Sequence, residues 1–244
     1  RFIAPLVRGT LLRRYKRFLA DIRLPDGQVV TAHCPNSGSM LTVDTPGADV
    51  WLSLATSLRR KLPYTWELIR IGGEIVGINT GRPNALVAEA IAAAAIPELI
   101  GYESIRREVR YGCNSRIDLL LEASGRPKCW VEVKNVTMSR RPEHRVVEFP
   151  DCVTERGVKH LNELAKAAAA GHRAVMLFLA QRGDADTFVI ADDLHPAYAT
   201  GLERAVGAGV EALFYRCDVG VEEIRLGRPM TFAGRSSTLD SWCA

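Results

Sequence analysis

The chain has 244 residues, 47% of them hydrophobic and 25% charged, with a net charge of +4. That length suits two modest domains, each able to bury a core, and the composition excludes a disordered or fibrous protein. No run of about 18 apolar residues is present to span a bilayer as a helix, so no membrane partner is expected.

From Val7 to Thr80 the sequence reads as short β-rich runs, FLADIRL, QVVTAHC, DVWLSLA, YTWELIRI and EIVGINT, separated by turn signals. Pro25-Asp26-Gly27, Asn36-Ser37-Gly38 and Gly72-Gly73 are the turns. Five or six strands in so short a stretch favour a small closed barrel of the OB type. Residues 1–81 carry 11 Lys/Arg against 6 Asp/Glu, the remainder 21 against 22, so the basic excess lies in this first domain. Arg13, Arg14, Lys16 and Arg17 surround Tyr15 and Phe18, and Arg59, Arg60 and Lys61 precede Tyr64 and Trp66. Basic and aromatic residues interleaved in this way suit phosphate contacts and base stacking. The aromatics serve equally well as barrel core, with Phe18 and Trp66 assigned there first.

Gly81-Arg82-Pro83-Asn84 breaks the pattern and marks the domain boundary. Asn84 is read as the N-cap of a helix to about Ile96, ended by Pro97. Glu89 is the sole charged side chain in it, so it either points to water or needs a cation. Strands are expected at Ser104 to Tyr111, Arg116 to Glu122 and Cys129 to Asn135, and a helix from about Val153 to Ala170, stopped by Gly171. Arg173 to Ala180 reads as a buried strand. A helix from Pro196 to Ala208 and a strand near Val210 to Tyr215 complete a domain over 82–230. The polar stretch 231–244 lacks periodicity and is expected to be a mobile tail.

The chemistry lies in the three strands. Glu132 and Lys134, at i and i+2, share one strand face, with Val131 and Val133 on the other. A neighbouring strand carrying Asp118 brings a second carboxylate alongside. Two acids and an amine are what phosphodiester hydrolysis asks for: carboxylates to hold Mg2+ or Mn2+, and a lysine to meet charge developing on the phosphate. Asp118, Glu132 and Glu89 are the candidate metal ligands, and Asp118, Glu132 and Lys134 the candidate catalytic residues. An E-x-K alone is weak, but these charges interrupt an apolar strand. Arg156, Lys159 and His160 form a polar helix face opposite Val158 and Leu161, either gripping phosphates together with Arg116 or merely solvated. His160 is read as a phosphate contact, a group that supports the metal ligands or, as a lone His more often is, structural; Asp151 is most simply a helix-start or turn residue. Six scattered cysteines form no C-x-x-C pair and read as reduced packing residues. The first eight residues are too short and interrupted for a signal peptide, which leaves the cytoplasm as the expected location.

The segments LLRRYKRFLADI, HCPNSGSM, RKLPYTWELI, YGCNSRIDLLL, WVEVKNVT and FPDCVTERGVKHLNEL resemble the hallmark segments of the sugar fermentation stimulation protein A (SfsA) family. The resemblance runs from about Leu6 to Phe214; the segment Asp192 to Pro196 departs from it, and the tail beyond about Pro229 has no counterpart. It implies an N-terminal OB-like barrel, then an α/β domain of αβββαβ order similar to the PD-(D/E)xK restriction-endonuclease superfamily, and DNA as the partner. Asp118 then matches the acid of the second core strand, and Glu132 and Lys134 the E-x-K pair. Three functions remain open: a metal-dependent nuclease without an organic cofactor, a non-cleaving DNA-binding regulator of sugar (maltose) metabolism genes, and an enzyme of sugar metabolism, for which no cofactor motif is present. Oligomeric state, strand preference and sequence readout are not legible.

Overall fold

A computed structural model describes residues 1–56, 60–111 and 115–238. The front half is built of β1 (Val7–Tyr15), β2 (Leu19–Arg23), β3 (Val29–His33), β4 (Asp49–Leu54), β5 (Tyr64–Ile71) and β6 (Glu74–Gly77). They hydrogen-bond in the order β3-β2-β1-β4-β5-β6, and a His33–Thr65 pairing between β3 and β5 closes the barrel. Alternation makes this work: in β2, Ala20 and Ile22 point inward while Asp21 and Arg23 point out. Leu11, Ile22, Val50, Leu52, Trp66 and Ile69 fill the interior.

The β1–β2 connection is a three-residue turn in which Lys16 (φ 49°) and Arg17 (φ 63°) are both left-handed. Such turns usually use Asn or Gly; two side chains with a Cβ cost about 1–2 kcal/mol each. Arg14 organises the loop beside it, donating to the carbonyls of Arg17, Asn36, Gly38 and Ser39 at 2.8–3.2 Å. Asp151 of the second domain grips the same loop from outside: the Met40 N–H donates to its Oδ2 at 3.2 Å, and Ser39 Oγ lies 3.0 Å from the same oxygen.

The second half contains α1 (Pro83–Ala92), β7 (Ser104–Tyr111), β8 (Ser115–Glu122), β9 (Cys129–Val136), β10 (Val146–Phe149), α2 (Glu155–Ala169), β11 (Arg173–Ala180), β12 (Thr187–Ile190), α3 (Pro196–Gly207), β13 (Glu211–Val219), β14 (Ile224–Pro229) and β15 (Thr231–Arg235). Six strands form one mixed sheet, β14-β13-β11-β9-β8-β7, antiparallel at both edges and parallel through β9-β11-β13. β11 is central and buried on both faces, so it reads as an unbroken apolar run. Val87, Ala90 and Ile91 of α1 cover one face, in a cluster that also takes Trp51 and Leu68 from the barrel. Leu161 and Leu164 of α2, with Tyr198 and Leu202 of α3, cover the other. Each buried leucine contributes about 2 kcal/mol. Gly77 meets Gln181 at the joint between the halves, donating its N–H to the Gln181 carbonyl at 2.8 Å. A Cβ on Gly77 would stand 2.7 Å from the Gln181 side-chain oxygen, so any larger residue would push the Gln181 side chain aside.

The structure departs from the sequence expectation at α1, at the added strands β10, β12, β14 and β15, and at the tail. α1 ends at Ala92 rather than Ile96, with a 3-10 turn at Pro97–Leu99. β10, β12 and β15 form a separate parallel sheet built of strands of four and five residues, too short to show a period. The expected mobile tail therefore begins too early: Thr231–Arg235 is paired to β12, and the Phe232 ring stacks on Phe214 with centroids 4.9 Å apart. Ser236 then donates to Asp192 and Asp193, at 2.9 and 2.7 Å, giving the divergent Asp192-Asp193 segment a structural use.

Candidate active site

The β8–β9 ladder runs through Leu121–Cys129, Leu120–Trp130 and Leu119–Val131 and stops before Asp118. Beyond that point Asp118 Oδ2 accepts the N–H of Val133 at 2.8 Å, so a side chain satisfies a backbone donor that the diverging strands leave open. Asp118 Oδ1 accepts from Asn84 Nδ2 at 2.7 Å. On β8, Ile117 and Leu120 pack on the α2 side while Leu119 and Leu121 pack on the α1 side, so the alternation breaks at Asp118. The carboxylate lies on that seam, within reach of both faces.

Glu132 and Lys134 project toward α2 because Val131 and Val133 face α1. Lys134 Nζ donates to Glu132 Oε1 at 2.7 Å, and the same oxygen is hydrogen-bonded to His160 Nδ1. Arg156 Nε donates to His160 Nε2 at 3.3 Å, so the ring is held from both sides between Arg156 and Glu132. Burial alone would raise the Glu132 carboxyl, but His160 and Lys134 outweigh it and hold the group below its ordinary value. Asp118 goes the other way: burial, then the charge of Glu132, push it up to about 6 against the pull of Val133, Lys134 and Asn84. Two acids so arranged are short of positive charge.

Buried polar atoms here without a hydrogen-bond partner among the described residues include Glu132 Oε2, Glu163 Oε2 and the Tyr111 hydroxyl. Glu132 is 2% exposed and Glu163 5%. Burial, followed by the charges of Glu132, Glu163 and Asp118, raises the Tyr111 pKa well above its ordinary value, so the phenol stays neutral. Orphaned carboxylate oxygens at that depth are costly unless a cation reaches them. The donor set is all oxygen and suits a hard divalent ion. Among the described residues no three His, Cys, Asp or Glu side chains form a complete cage. Mg2+ commonly uses one or two carboxylates and fills its remaining positions with water and phosphate, so Asp118 and Glu132 fit it.

The sequence pattern of the SfsA N-terminal OB domain matches residues 12–78, and that of the sugar fermentation stimulation protein RE domain matches residues 81–223. The chain belongs to the SfsA family. It is 57% identical to the sugar fermentation stimulation protein homolog of Paramagnetospirillum magneticum, over 95% of this chain and 97% of that protein. The homolog of Geobacter sulfurreducens is 58% identical over 91% and 94% respectively. The solved structure of Pyrococcus furiosus SfsA in complex with Ca2+ superposes with a TM-score of 0.85 at 27% identity, covering 94% of this chain and 96% of that one. The SfsA barrel and its restriction-endonuclease-like α/β domain thus stand in the order expected from sequence.

Within this SfsA chain the structure brings Asp118, Glu132 and Lys134 together and corrects other expectations. Glu89 is exposed on α1, on the side away from the buried Val87, Ala90 and Ile91, and forms no three-ligand group with Asp118 and Glu132 among the described residues. Asn84 is not an N-cap: Arg82 holds that position without a side-chain cap, and the Asn84 amide is spent on Asp118. Arg14 is not a free phosphate contact, since its guanidinium is occupied by four carbonyls. Arg13 is exposed but paired with Asp21 at 2.8 Å and lies over the Tyr15 ring. Arg60 donates to Thr65 Oγ1 at 3.0 Å; Lys61 and Arg17 are exposed. Arg59 lies outside the described residues. Trp66 is core, whereas Phe18, expected there too, is 49% exposed.

Arg156 and Lys159 are exposed on α2, but His160 is buried, not part of their outer face. The helix turns its Gly157, His160, Leu161 and Leu164 arc inward, and the glycine in that arc is the sequence signal that was available. Asp151 bonds the barrel loop, as described above. Arg116 faces Arg110 directly across β7 and β8; both are exposed, and neither has an ion-pair partner among the described residues. Arg110, Tyr111 and Glu163 are the site residues that sequence reasoning misses; it assigns Asn84 to a cap and places His160 on the outer face of α2.

Proposed function

We propose that the protein is a divalent-metal-dependent nuclease of PD-(D/E)xK type that hydrolyses phosphodiesters in DNA. The observation that carries this is the pairing of Asp118 with a Glu132 whose Oε2 is buried and unpartnered, beside the Lys134 ammonium. Asp118 and Glu132 would hold Mg2+ or Mn2+, which supplies a polarised phosphate and a water acidic enough to attack. The Pyrococcus relative was solved in complex with Ca2+, which supports divalent-metal use by this fold. Asn84 and the Val133 N–H fix Asp118, and His160 fixes Glu132, so both acids are preorganised. Lys134 meets negative charge growing on the phosphate oxygens.

Arg110 and Arg116 receive the backbone. Like charges facing across a ladder destabilise it, and a polyanion relieves that repulsion. A second reading, the non-cleaving DNA-binding regulator, is favoured by the fact that Asp118's two oxygens and Glu132's Oε1 are already engaged by protein donors. Cleavage and binding of labelled DNA, scored together for wild type and Lys134→Met, separate the two. Nuclease action predicts metal-dependent cutting that falls at least 100-fold in the variant with binding kept. Binding without cutting in both proteins would leave the regulator reading.

A further inference from the structure

An exposed phenylalanine is ordinary by itself. Phe18 differs in its setting. It closes the β1–β2 turn directly after Lys16 and Arg17, two strained left-handed residues that have no ion-pair partner among the described residues. Two basic side chains stand here where Asn-Gly would relax the backbone, so the turn presents two cations at a cost in backbone strain.

The backbone of this tip is clamped from beneath. The Phe18 N–H donates to the Lys16 carbonyl and the Phe18 carbonyl accepts from the Cys34 N–H, both at 2.8 Å, while Arg14 holds the Arg17 carbonyl at 3.2 Å. Side chains therefore stand out from a rigid support, which lowers the entropy lost when they bind. The same Arg14 holds the Gly38 and Ser39 carbonyls, and Ser39 Oγ donates to the Asp151 carbonyl at 2.8 Å, so the tip is tied to the segment leading into α2. Arg17 also lies close enough to act electrostatically on the Cys152 thiol. His160, which is hydrogen-bonded to Glu132, lies five residues along α2 from Glu155, about 7.5 Å at helical rise. Leu41 and Val153 add exposed apolar surface on the two tied segments, at 42% and 69%.

Resting on the reading of the site as acting on DNA, we propose that the Lys16-Arg17-Phe18 tip is a stacking platform for an unpaired base. The two cations flank the backbone of a single strand while the Phe18 ring takes a base face. A duplex keeps its bases stacked inside and offers the ring nothing, so this chain prefers single-stranded or frayed DNA to an intact helix.

The test is binding of the full chain in EDTA, where cutting plays no part, to a 2-aminopurine-labelled single strand and to the matching blunt duplex. Phe18→Ala should weaken single-strand affinity about tenfold, the range expected for one stacked base, and change duplex affinity less than twofold. Phe18→Tyr should restore both affinity and 2-aminopurine quenching, and Phe18→Leu should not, because stacking needs a π face. Equal losses on both substrates, no loss, or full rescue by leucine would each overturn the platform. Retained thermal stability of Phe18→Ala shows that the loss is local. A protein that never cuts but keeps this Phe18-dependent preference preserves the platform and loses the nuclease; one that cuts without the preference does the reverse.

Discussion

Replacing Asp118 by asparagine should stabilise the metal-free protein at pH 8, although the residue lies at the centre of the proposed chemistry. Burial and Glu132 raise its pKa from 3.8 to about 6, so above pH 6 the fold carries an ionised group it disfavours. A rise of about two units is worth about 3 kcal/mol. The variant loses the charge-assisted character of the Val133 N–H bond, about 1 kcal/mol, and Asn84 can turn its amide to accept from the new one. The net gain is about 2 kcal/mol, or a Tm higher by roughly 4–8 °C for a chain of this size.

The pH dependence has a definite sign. A raised carboxyl pKa means the folded state binds the extra proton between the two values, so wild-type stability from this group is full below about pH 4 and lost as pH rises through 6. The gain in Asp118→Asn should therefore appear across that window and vanish toward pH 4. Differential scanning fluorimetry in EDTA from pH 4 to 8 reads it directly. Adding Mg2+ or Mn2+ at pH 8 should raise the wild-type Tm and leave the variant unmoved. A variant less stable than wild type at pH 8, or a gain of equal size at pH 4, would refute the electrostatic account of the site.

Arg14→Ala should lower the Tm by about 5 °C or more, since carbonyls of the 35–44 loop lose a charged donor, and should leave the salt slope of DNA binding unchanged; a flattened slope would return Arg14 to the phosphate surface. Glu89→Gln should cut DNA within twofold of wild type, and a loss near that of Lys134→Met would restore it as a ligand.

Much of the fold was legible because its elements announce themselves locally. β11 is one apolar run, α2 carries Leu161 and Leu164 at helical spacing, and Glu132 and Lys134 fall on one strand face by period alone. What was illegible depends on contacts distant in sequence. Asn84 is a residue type suited to capping, and only its contact with Asp118, 34 positions away, reveals its use. His160 shares helical spacing with Arg156 and Lys159, yet α2 is rotated so that the imidazole faces Glu132. Arg14 looks like surface charge until the 35–44 loop folds its carbonyls around it. The strands of the small parallel sheet are too short to display alternation and acquire meaning only when paired.

The central claim is tested most directly by incubating wild type and Glu132→Gln with labelled single- and double-stranded DNA in Mg2+, Mn2+ or EDTA and following the products over time. The account predicts cutting by wild type in Mg2+ or Mn2+, none in EDTA, and none by the variant although it still binds DNA. Cutting that survives EDTA, or equal cutting by Glu132→Gln, would contradict it.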